Sequence, residues 1–355
     1  MSSSSFRRSW QRHTAALGVL SVLCWGASMA GAHPQAPGPD QDQAGAGDQD
    51  QTIIRENVDL VNIFFTVRNK KGGQLIPNLQ QSDFSLEEDG KAQTIRHFSR
   101  ETDLPLTLGL LIDISASQGN LIEIEKNAAS AFFSDVIRKK DEAFLISFGK
   151  ETDLLQDYTN SPRLLKAGLE DLRGDESGGG SITMTPGTVP TVGSPKGTLL
   201  YDAIYLAANE KLKTEVGRKA LILITDGDDQ GSTYKLRDAI EAAQKADAIV
   251  YSIYYVDRAF YSRGGYMMLG GGGESELRKI SEETGGHVFT VNAKHTLQDV
   301  FKEIQDEMRN QYSIGYVSTN AARDGSFRRI QIKASDKQYK VQARSGYYAT
   351  PNDVR

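Results

Sequence analysis

Apolar runs of strand length alternate with segments of helical spacing across the middle of the chain. The run LTLGLLID, from Leu106 to Asp113, is typical of a parallel strand buried on both faces. In residues 121–138 the apolar positions recur at helical spacing, namely Leu121, Ile124, Ala128, Phe132 and Val136. Further strands are predicted at 143–149, 220–225, 248–256 and 287–291, and helices at 199–212, 235–247, 274–284 and 296–310. This alternation predicts an α/β fold with a doubly wound, mostly parallel sheet.

The segments on either side of this region have a β-rich pattern instead. Residues 52–103 and 311–350 contain short runs rich in β-branched and aromatic residues, separated by turn signals such as Asp89-Gly90. Neither segment is long enough for a comfortable core of its own. We therefore predict that the two pair into one small β-rich domain, with an α/β domain at 104–310 inserted between them. The alternative is two separate hairpin extensions packed on the α/β edge.

The first residues have the features of a secretory signal peptide. Arg7, Arg8 and Arg12 precede a short apolar stretch at 14–24, and Ala30-Gly31-Ala32 is a typical cleavage site. We predict a signal peptide at 1–32 and export to the periplasm or the extracellular space. The alternative is an uncleaved membrane anchor. The single cysteine, Cys24, lies in this segment, so disulfides are not expected in the exported protein.

Composition limits the partners and the ordered regions. The formal net charge is −5 and no strongly basic face is implied, so nucleic acid is not an expected partner. Residues 33–51 have almost no large apolar side chain and are predicted to be a disordered linker. Glycine-rich stretches at 174–197 and 262–273 are predicted to be loops. The upstream glycines of a nucleotide-binding P-loop are missing before Lys196-Gly197-Thr198.

Oxygen-bearing side chains follow the predicted strands where a doubly wound sheet places its ligands. Asp113, Ser115 and Ser117 end the first central strand, Thr198 begins a helix, and Asp226 follows the strand ALILIT. Because ligands of such sheets sit at the carboxyl ends of the strands, we expect these side chains to meet there. Two carboxylates with three hydroxyls suit a hard divalent cation, Mg²⁺ or else Mn²⁺ or Ca²⁺. For each aspartate taken alone, a helix N-cap is the favoured interpretation, and only the five positions together favour a metal site.

The stretches DISAS, GTLLYDAI and LITDG resemble the von Willebrand factor type A domain and its metal-ion-dependent adhesion site. The resemblance covers roughly residues 104–310 and implies that Asp113, Ser115, Ser117, Thr198 and Asp226 are the metal ligands. The flanking segments are similar to those of acidobacterial-type VWFA-related proteins, an exported bacterial group. The glycine-rich insert before Thr198 departs from the wider family and either shapes partner choice or covers the site.

The resemblance implies a binding protein rather than an enzyme. It predicts an unidentified protein partner, which presents an acidic group to the cation; a membrane is a partner only if the signal segment stays uncleaved. The sequence has no serine elbow, catalytic cysteine or histidine-rich zinc motif, which disfavours a metal-dependent hydrolase. A metal-independent structural or assembly module of an envelope complex is the main alternative.

Overall fold

The computed structural model describes residues 60–101, 104–174, 197–257 and 273–350, all within one compact unit of the chain. The predicted signal peptide and linker lie outside the described residues, as do almost all of the two glycine-rich stretches. In the described part of the chain, no helix is both long enough and apolar enough to cross a membrane.

A six-stranded sheet forms the centre of the α/β part. Its strands in chain order are β5 (Leu106–Asp113), β6 (Glu142–Phe148), β7 (Thr152–Thr159), β8 (Arg218–Thr225), β9 (Ala248–Tyr254) and β10 (Val288–Thr290). They lie in the order β10-β9-β8-β5-β6-β7, and only β7 runs antiparallel to its neighbour. Every residue of β5 and β8 is buried, as their continuous apolar sequences predict for the middle of a parallel sheet.

Helices cover both faces of this sheet. They are α1 (Ile122–Val136), α2 (Pro162–Glu170), α3 (Leu200–Leu206), α4 (Leu236–Lys245), α5 (Gly273–Thr284) and α6 (Leu297–Arg309). A π-helical turn, Ala207–Leu212, continues α3. One apolar core contains residues of α1, α2 and α6, and the other contains residues of α3, α4 and α5. The predicted doubly wound, mostly parallel sheet is therefore confirmed.

The first turn of helix α1 turns a different face to the sheet from the one that its sequence predicts. Ala128, Phe132 and Val136 are buried as the spacing predicts, whereas Ile124 is 45% exposed. In the first turn the buried residues are instead Ile122 and Glu125. This rotation puts a carboxylate against the sheet and an isoleucine in solvent, which burial of apolar surface alone does not favour.

The β-rich flanks form two four-stranded antiparallel sheets. The N-terminal flank contributes β1 (Leu60–Asn69), β2 (Phe84–Glu88), β3 (Lys91–Gln93) and β4 (Ile95–Glu101). The C-terminal flank contributes β11 (Gln311–Val317), β12 (Phe327–Ala334), β13 (Tyr339–Ala343) and β14 (Gly346–Tyr348). One sheet has the order β13-β1-β11-β4 and the other β14-β12-β2-β3, so each combines strands of both flanks.

The two antiparallel sheets share a single apolar core, and we call this unit the β-sandwich. Its core includes Phe65 of β1, Leu86 of β2, Tyr312 of β11 and Ile332 of β12. The sheets thus combine the two flanks as the fold class predicts, whereas the domain boundaries at 104 and 310 stay a prediction. The C-terminal run from Tyr339 forms two strands, β13 and β14, which join different sheets.

A buried ion pair attaches the last helix of the α/β part to the β-sandwich. The Arg68 Nε on β1 donates to Glu307 Oε1 on α6 at 2.8 Å, and Glu307 is 1% exposed. His287 Nδ1 lies 3.3 Å from the same carboxylate oxygen. Gln342 of β13 adds a hydrogen bond from its Nε2 to the carbonyl of Gly286 at 2.6 Å. Since α6 leads directly into β11, the two parts are joined by the chain and by side chains.

Candidate cation site

Two aspartates lie at the carboxyl edge of the central sheet. Asp113 is the last residue of β5, and Asp226 follows Thr225, the last residue of β8. Because β5 and β8 are parallel neighbours in register, Asp113 and Asp226 lie at the same edge of the sheet. Both are buried, with exposures of 0% and 5%. The topology therefore places the two predicted carboxylates beside each other.

Local hydrogen bonds order the loop that carries the two serines. The Ser115 amide donates to Asp113 Oδ1 at 2.9 Å, and the hydroxyls of Ser115 and Ser117 lie 3.0 Å apart. On the other side, Thr225 donates its hydroxyl to Asp113 Oδ2 at 2.6 Å. The Thr225 hydroxyl accepts the amide of Gly227 at 3.0 Å. Asp113, Ser115 and Ser117 are therefore held together as the sequence predicts.

Backbone hydrogen bonds hold Thr198 at the same edge. Its carbonyl accepts the amide of Gln230 at 2.8 Å, which ties it to the loop that begins with Asp226. The next amide, that of Leu199, donates to the carbonyl of Gly149 at 2.9 Å, directly after β6. Strands β6 and β8 are the two neighbours of β5, so Thr198 is anchored on both sides of the strand that ends in Asp113.

The electrostatics of this edge are dominated by negative charge. Burial, followed by the charge of Asp226, raises the pKa of Asp113 to about 7, against hydrogen bonds from Ser115 and Thr225 that lower it. Burial and the charges of Asp113 and Asp226 raise the pKa of Glu125 on α1 well above its ordinary value. Within the described residues, no basic side chain is among the main causes of either shift. A cation is the group that would relieve this repulsion.

The donor set fits a hard divalent cation better than a transition metal. It consists of carboxylate and hydroxyl oxygens, which Mg²⁺ and Ca²⁺ prefer, and it includes no sulfur or imidazole. Among the residues that the structure describes, no three His, Cys, Asp or Glu side chains form a metal-binding group. The hydroxyls of Ser115, Ser117 and Thr198 are therefore needed to complete a ligand set around Asp113 and Asp226.

Sequence reasoning missed two residues at this edge. Thr225 orients Asp113, and its only sequence signal is its place between the strand ALILI and Asp226. Glu125 is fully buried beneath the edge, and its signal is a charged residue on the rotated face of α1. The periodicity of α1 did not reveal Glu125, because Leu121 and Ile124 suggested a different buried face.

Two further aspartates tie the loop after β8 to α3. Asp229 Oδ1 accepts the amide of Tyr201 at 3.2 Å, and Asp202 Oδ1 accepts the amide of Tyr234 at 2.9 Å. Each carboxylate thus accepts a hydrogen bond from a backbone amide.

A close backbone approach fixes the position of Asp226. A Cβ atom on Gly273, the first residue of α5, would lie 2.3 Å from the carbonyl oxygen of Asp226. Gly227 has a φ of +81°, and a Cβ there would lie 2.6 Å from the carbonyl oxygen of Gly273. The absence of side chains at both glycines lets α5 begin against the loop that carries Asp226.

The raised pKa of Asp113 predicts how pH affects the stability of the metal-free protein. Between the ordinary value of 3.8 and about 7, the folded state binds this proton more tightly than the unfolded state does. The free energy of unfolding in chelator should therefore fall as the pH rises through this window and level off above it. Urea unfolding of the wild type and Asp113→Asn at about pH 5 and about pH 8 measures the effect.

The Asp113→Asn variant should show a shallower decline with pH. Glu125 contributes a slope of the same sign, so the decline should shrink without vanishing. An equal decline in both proteins would contradict a raised pKa at Asp113.

Residues 191–303 match the family model of the von Willebrand factor type A domain. The α/β part of the chain has the von Willebrand factor type A fold. The match includes Thr198 and Asp226 and begins after Asp113, Ser115 and Ser117. The sheet topology places Asp113, with Ser115 and Ser117 after it, at the same edge as Asp226. The finer resemblance to the acidobacterial-type group stays a prediction.

Solved structures with similar folds come from several sources. An aerotolerance-related membrane protein from Bacteroides fragilis, carrying multiple mutations to serines, is 18% identical, with 57% of this chain and 98% of that chain covered and a TM-score of 0.40. A von Willebrand factor type A protein from Catenulispora acidiphila is 14% identical, with 78% and 76% covered and a TM-score of 0.42. Proximal thread matrix protein 1 from the mussel byssus, with a zinc-occupied MIDAS motif, is 14% identical, with 61% and 48% covered and a TM-score of 0.43. None of the curated proteins matches the sequence.

Proposed function

We propose that this protein is an exported protein-interaction module whose VWA domain binds its partner through a divalent cation, most simply Mg²⁺. The observation that carries the proposal is the pair of buried carboxylates, Asp113 and Asp226, at one edge of the sheet. Burial and then the charge of Asp226 raise the pKa of Asp113, and no basic group among the described residues is a main cause of that shift. Two such carboxylates beside ordered hydroxyls form a site that a divalent cation stabilises.

Each predicted ligand has a distinct part in this proposal. Asp113 and Asp226 neutralise the ion, while Ser115, Ser117 and Thr198 offer hydroxyl oxygens without adding charge. When bound, the ion supplies an electrophilic coordination position that an acidic side chain of a partner protein occupies. The hydrogen bonds of Thr225 and the Ser115 amide hold the Asp113 carboxylate in place, so that little reorganisation is needed on binding.

Export is proposed on the N-terminal sequence. The arginines at positions 7, 8 and 12, the apolar stretch and the small residues before His33 support a signal peptide. A protein placed outside the cytoplasm meets free divalent cations and envelope proteins, which suits an interaction that depends on a cation.

Cation-dependent capture of a partner tests the interaction. Immobilised wild-type protein and an Asp226→Ala variant are exposed to the envelope fraction of the source organism, in Mg²⁺ and in chelator. We expect one set of proteins to be retained by the wild type in Mg²⁺ and lost both in chelator and with the variant. Retention of the same proteins in all conditions would instead support a metal-independent assembly module.

A further inference from the structure

Glu125 is a buried carboxylate that has no hydrogen-bond partner among the described residues. It lies on α1 with 0% exposure, on the helix face that packs toward the sheet. Neither of its carboxylate oxygens has a hydrogen-bond partner within the part of the chain that the structure describes. An unpaired buried carboxylate is strongly unfavourable, because it has lost its water and gained nothing in return. Its presence therefore requires a compensating group.

The surroundings of Glu125 point to the cation site. After burial itself, the groups that raise the pKa of Glu125 are Asp113 and then Asp226. Backbone hydrogen bonds link this position to the serine loop, from the Glu125 amide to the Leu121 carbonyl at 3.0 Å, from Leu121 to Gln118 at 2.7 Å and from Gln118 to Ser115 at 2.9 Å. Among the described residues, Glu125 does not form a cluster of three possible acidic ligands with Asp113 and Asp226. This placement suits a group that acts on a bound ion through water.

A second unpaired acceptor lies near Glu125. The Gln118 side chain is fully buried and donates its Nε2 to the carbonyl of Tyr255 at 3.0 Å, while its Oε1 has no partner among the described residues. Burial and then the charge of Glu125 raise the pKa of Tyr255, so Gln118 and Glu125 both lie close to Tyr255. The two carboxylate oxygens of Glu125 and the Oε1 of Gln118 thus make three buried acceptors without donors near the start of α1. Water molecules bound to an ion would supply those donors.

We propose that Glu125 is a third acidic group of the cation site, which accepts hydrogen bonds from water ligands of the ion and raises the affinity for it. This inference rests on the proposed function. Mg²⁺ keeps several of its waters in protein sites, so a hydrogen-bond acceptor behind the direct ligands holds these waters in place. With Glu125 behind the two direct carboxylate ligands, Asp113 and Asp226, we expect the site to hold Mg²⁺ without any partner. The metal alone is therefore a sufficient probe.

The test compares Glu125→Gln with a matched control on the same helix, Glu123→Gln. The Glu123 side chain is 79% exposed, so the control removes the same charge from the solvent face. Calorimetric titration with Mg²⁺ should show affinity lowered roughly 10- to 100-fold by Glu125→Gln, with the stoichiometry unchanged. Glu123→Gln should bind as the wild type does. Glu125→Asp, which keeps the charge, should retain most of the affinity.

Thermal melting in chelator separates a cation role from a structural one. Without metal, Glu125→Gln should melt at the wild-type temperature or above it, because glutamine fills the same volume and removes a carboxyl group whose ionisation is opposed by burial. In Mg²⁺ the same variant should gain less stability than the wild type gains. A purely structural role would lower the melting temperature equally in both conditions.

The outcomes separate this inference from the proposed function. Wild-type affinity in Glu125→Gln, or equal losses in Glu125→Gln and Glu125→Asp, would overturn the role of the Glu125 charge and leave the cation site intact. A wild-type protein that binds no Mg²⁺ would overturn the proposed function, and this inference with it.

Discussion

Replacing Arg328 with methionine should lower the free energy of unfolding of the β-sandwich by about 3–5 kcal/mol. Arg328 of β12 is 2% exposed and its Nη1 lies 3.4 Å from Glu88 Oε1, itself on a side chain that is 2% exposed. The guanidinium also donates to the carbonyls of Asn320 and Ala322. Methionine would fill similar volume but remove the cation beside Glu88, whose carboxylate would keep the hydroxyl donors of Tyr316, Ser318 and Tyr347, and it would leave both carbonyls without this donor.

The neighbouring arginine provides the control for this substitution. Arg329 lies on the exposed face of the same strand, so Arg329→Met should change the free energy of unfolding by less than about 0.5 kcal/mol. Adding Glu88→Gln to Arg328→Met should recover part of the loss, because the uncompensated charge disappears. Urea unfolding followed by circular dichroism measures the wild type and all three variants. Equal stability of the two arginine variants would contradict the importance of the buried pair.

Replacing Gly273 with alanine should both destabilise the VWA domain and weaken its cation site. The new Cβ would lie 2.3 Å from the Asp226 carbonyl oxygen and 2.8 Å from the Gly227 carbonyl carbon, so the backbone must move. Such overpacking against the backbone should cost about 3 kcal/mol of stability. Because the displaced loop carries Asp226, Mg²⁺ affinity should fall by about tenfold or more. Melting in chelator and titration with Mg²⁺ measure the two effects separately.

Gly119 offers the matched control at the same edge of the sheet. A Cβ on Gly119 would meet its nearest neighbour, the carbonyl oxygen of Ala116, at 3.7 Å, an ordinary contact. Gly119→Ala should therefore change stability and Mg²⁺ affinity little. If Gly273→Ala behaved like Gly119→Ala, the close approach of α5 to Asp226 would be of no consequence.

The parts of the fold that periodicity determines were predictable. Strands β5 and β8 are continuous apolar runs because both faces are covered by helices, and the sequence shows this directly. The β2–β3 hairpin was signalled by Asp89-Gly90, both of which have positive φ. The candidate ligands could be predicted from the sequence for the same reason, since each follows a strand or begins a helix that the pattern predicts.

The parts that depend on tertiary contacts were not predictable. Strand β7 is an edge strand with no fully buried residue, so its sequence lacks the apolar signal of the other central strands. Arg328 lies with Ile330 and Ile332 on the inward face of β12, and the charge there is explained by tertiary contacts, above all by its partner Glu88 on β2, far away in the chain. Glu125 is similar, because its burial results from the packing of α1 on the sheet, and the role proposed for it depends on Asp113 and Asp226, which other elements supply.

Calorimetric titration of the purified protein with Mg²⁺, beside Asp113→Ala, tests the central claim most directly. Asp153→Ala, on the exposed side of β7, is the matched control for the substitution. The cation site predicts binding of about one equivalent to the wild type and the control, and its loss in Asp113→Ala while that variant remains folded in chelator. Equal binding by Asp113→Ala, or no binding by the wild type, would contradict it.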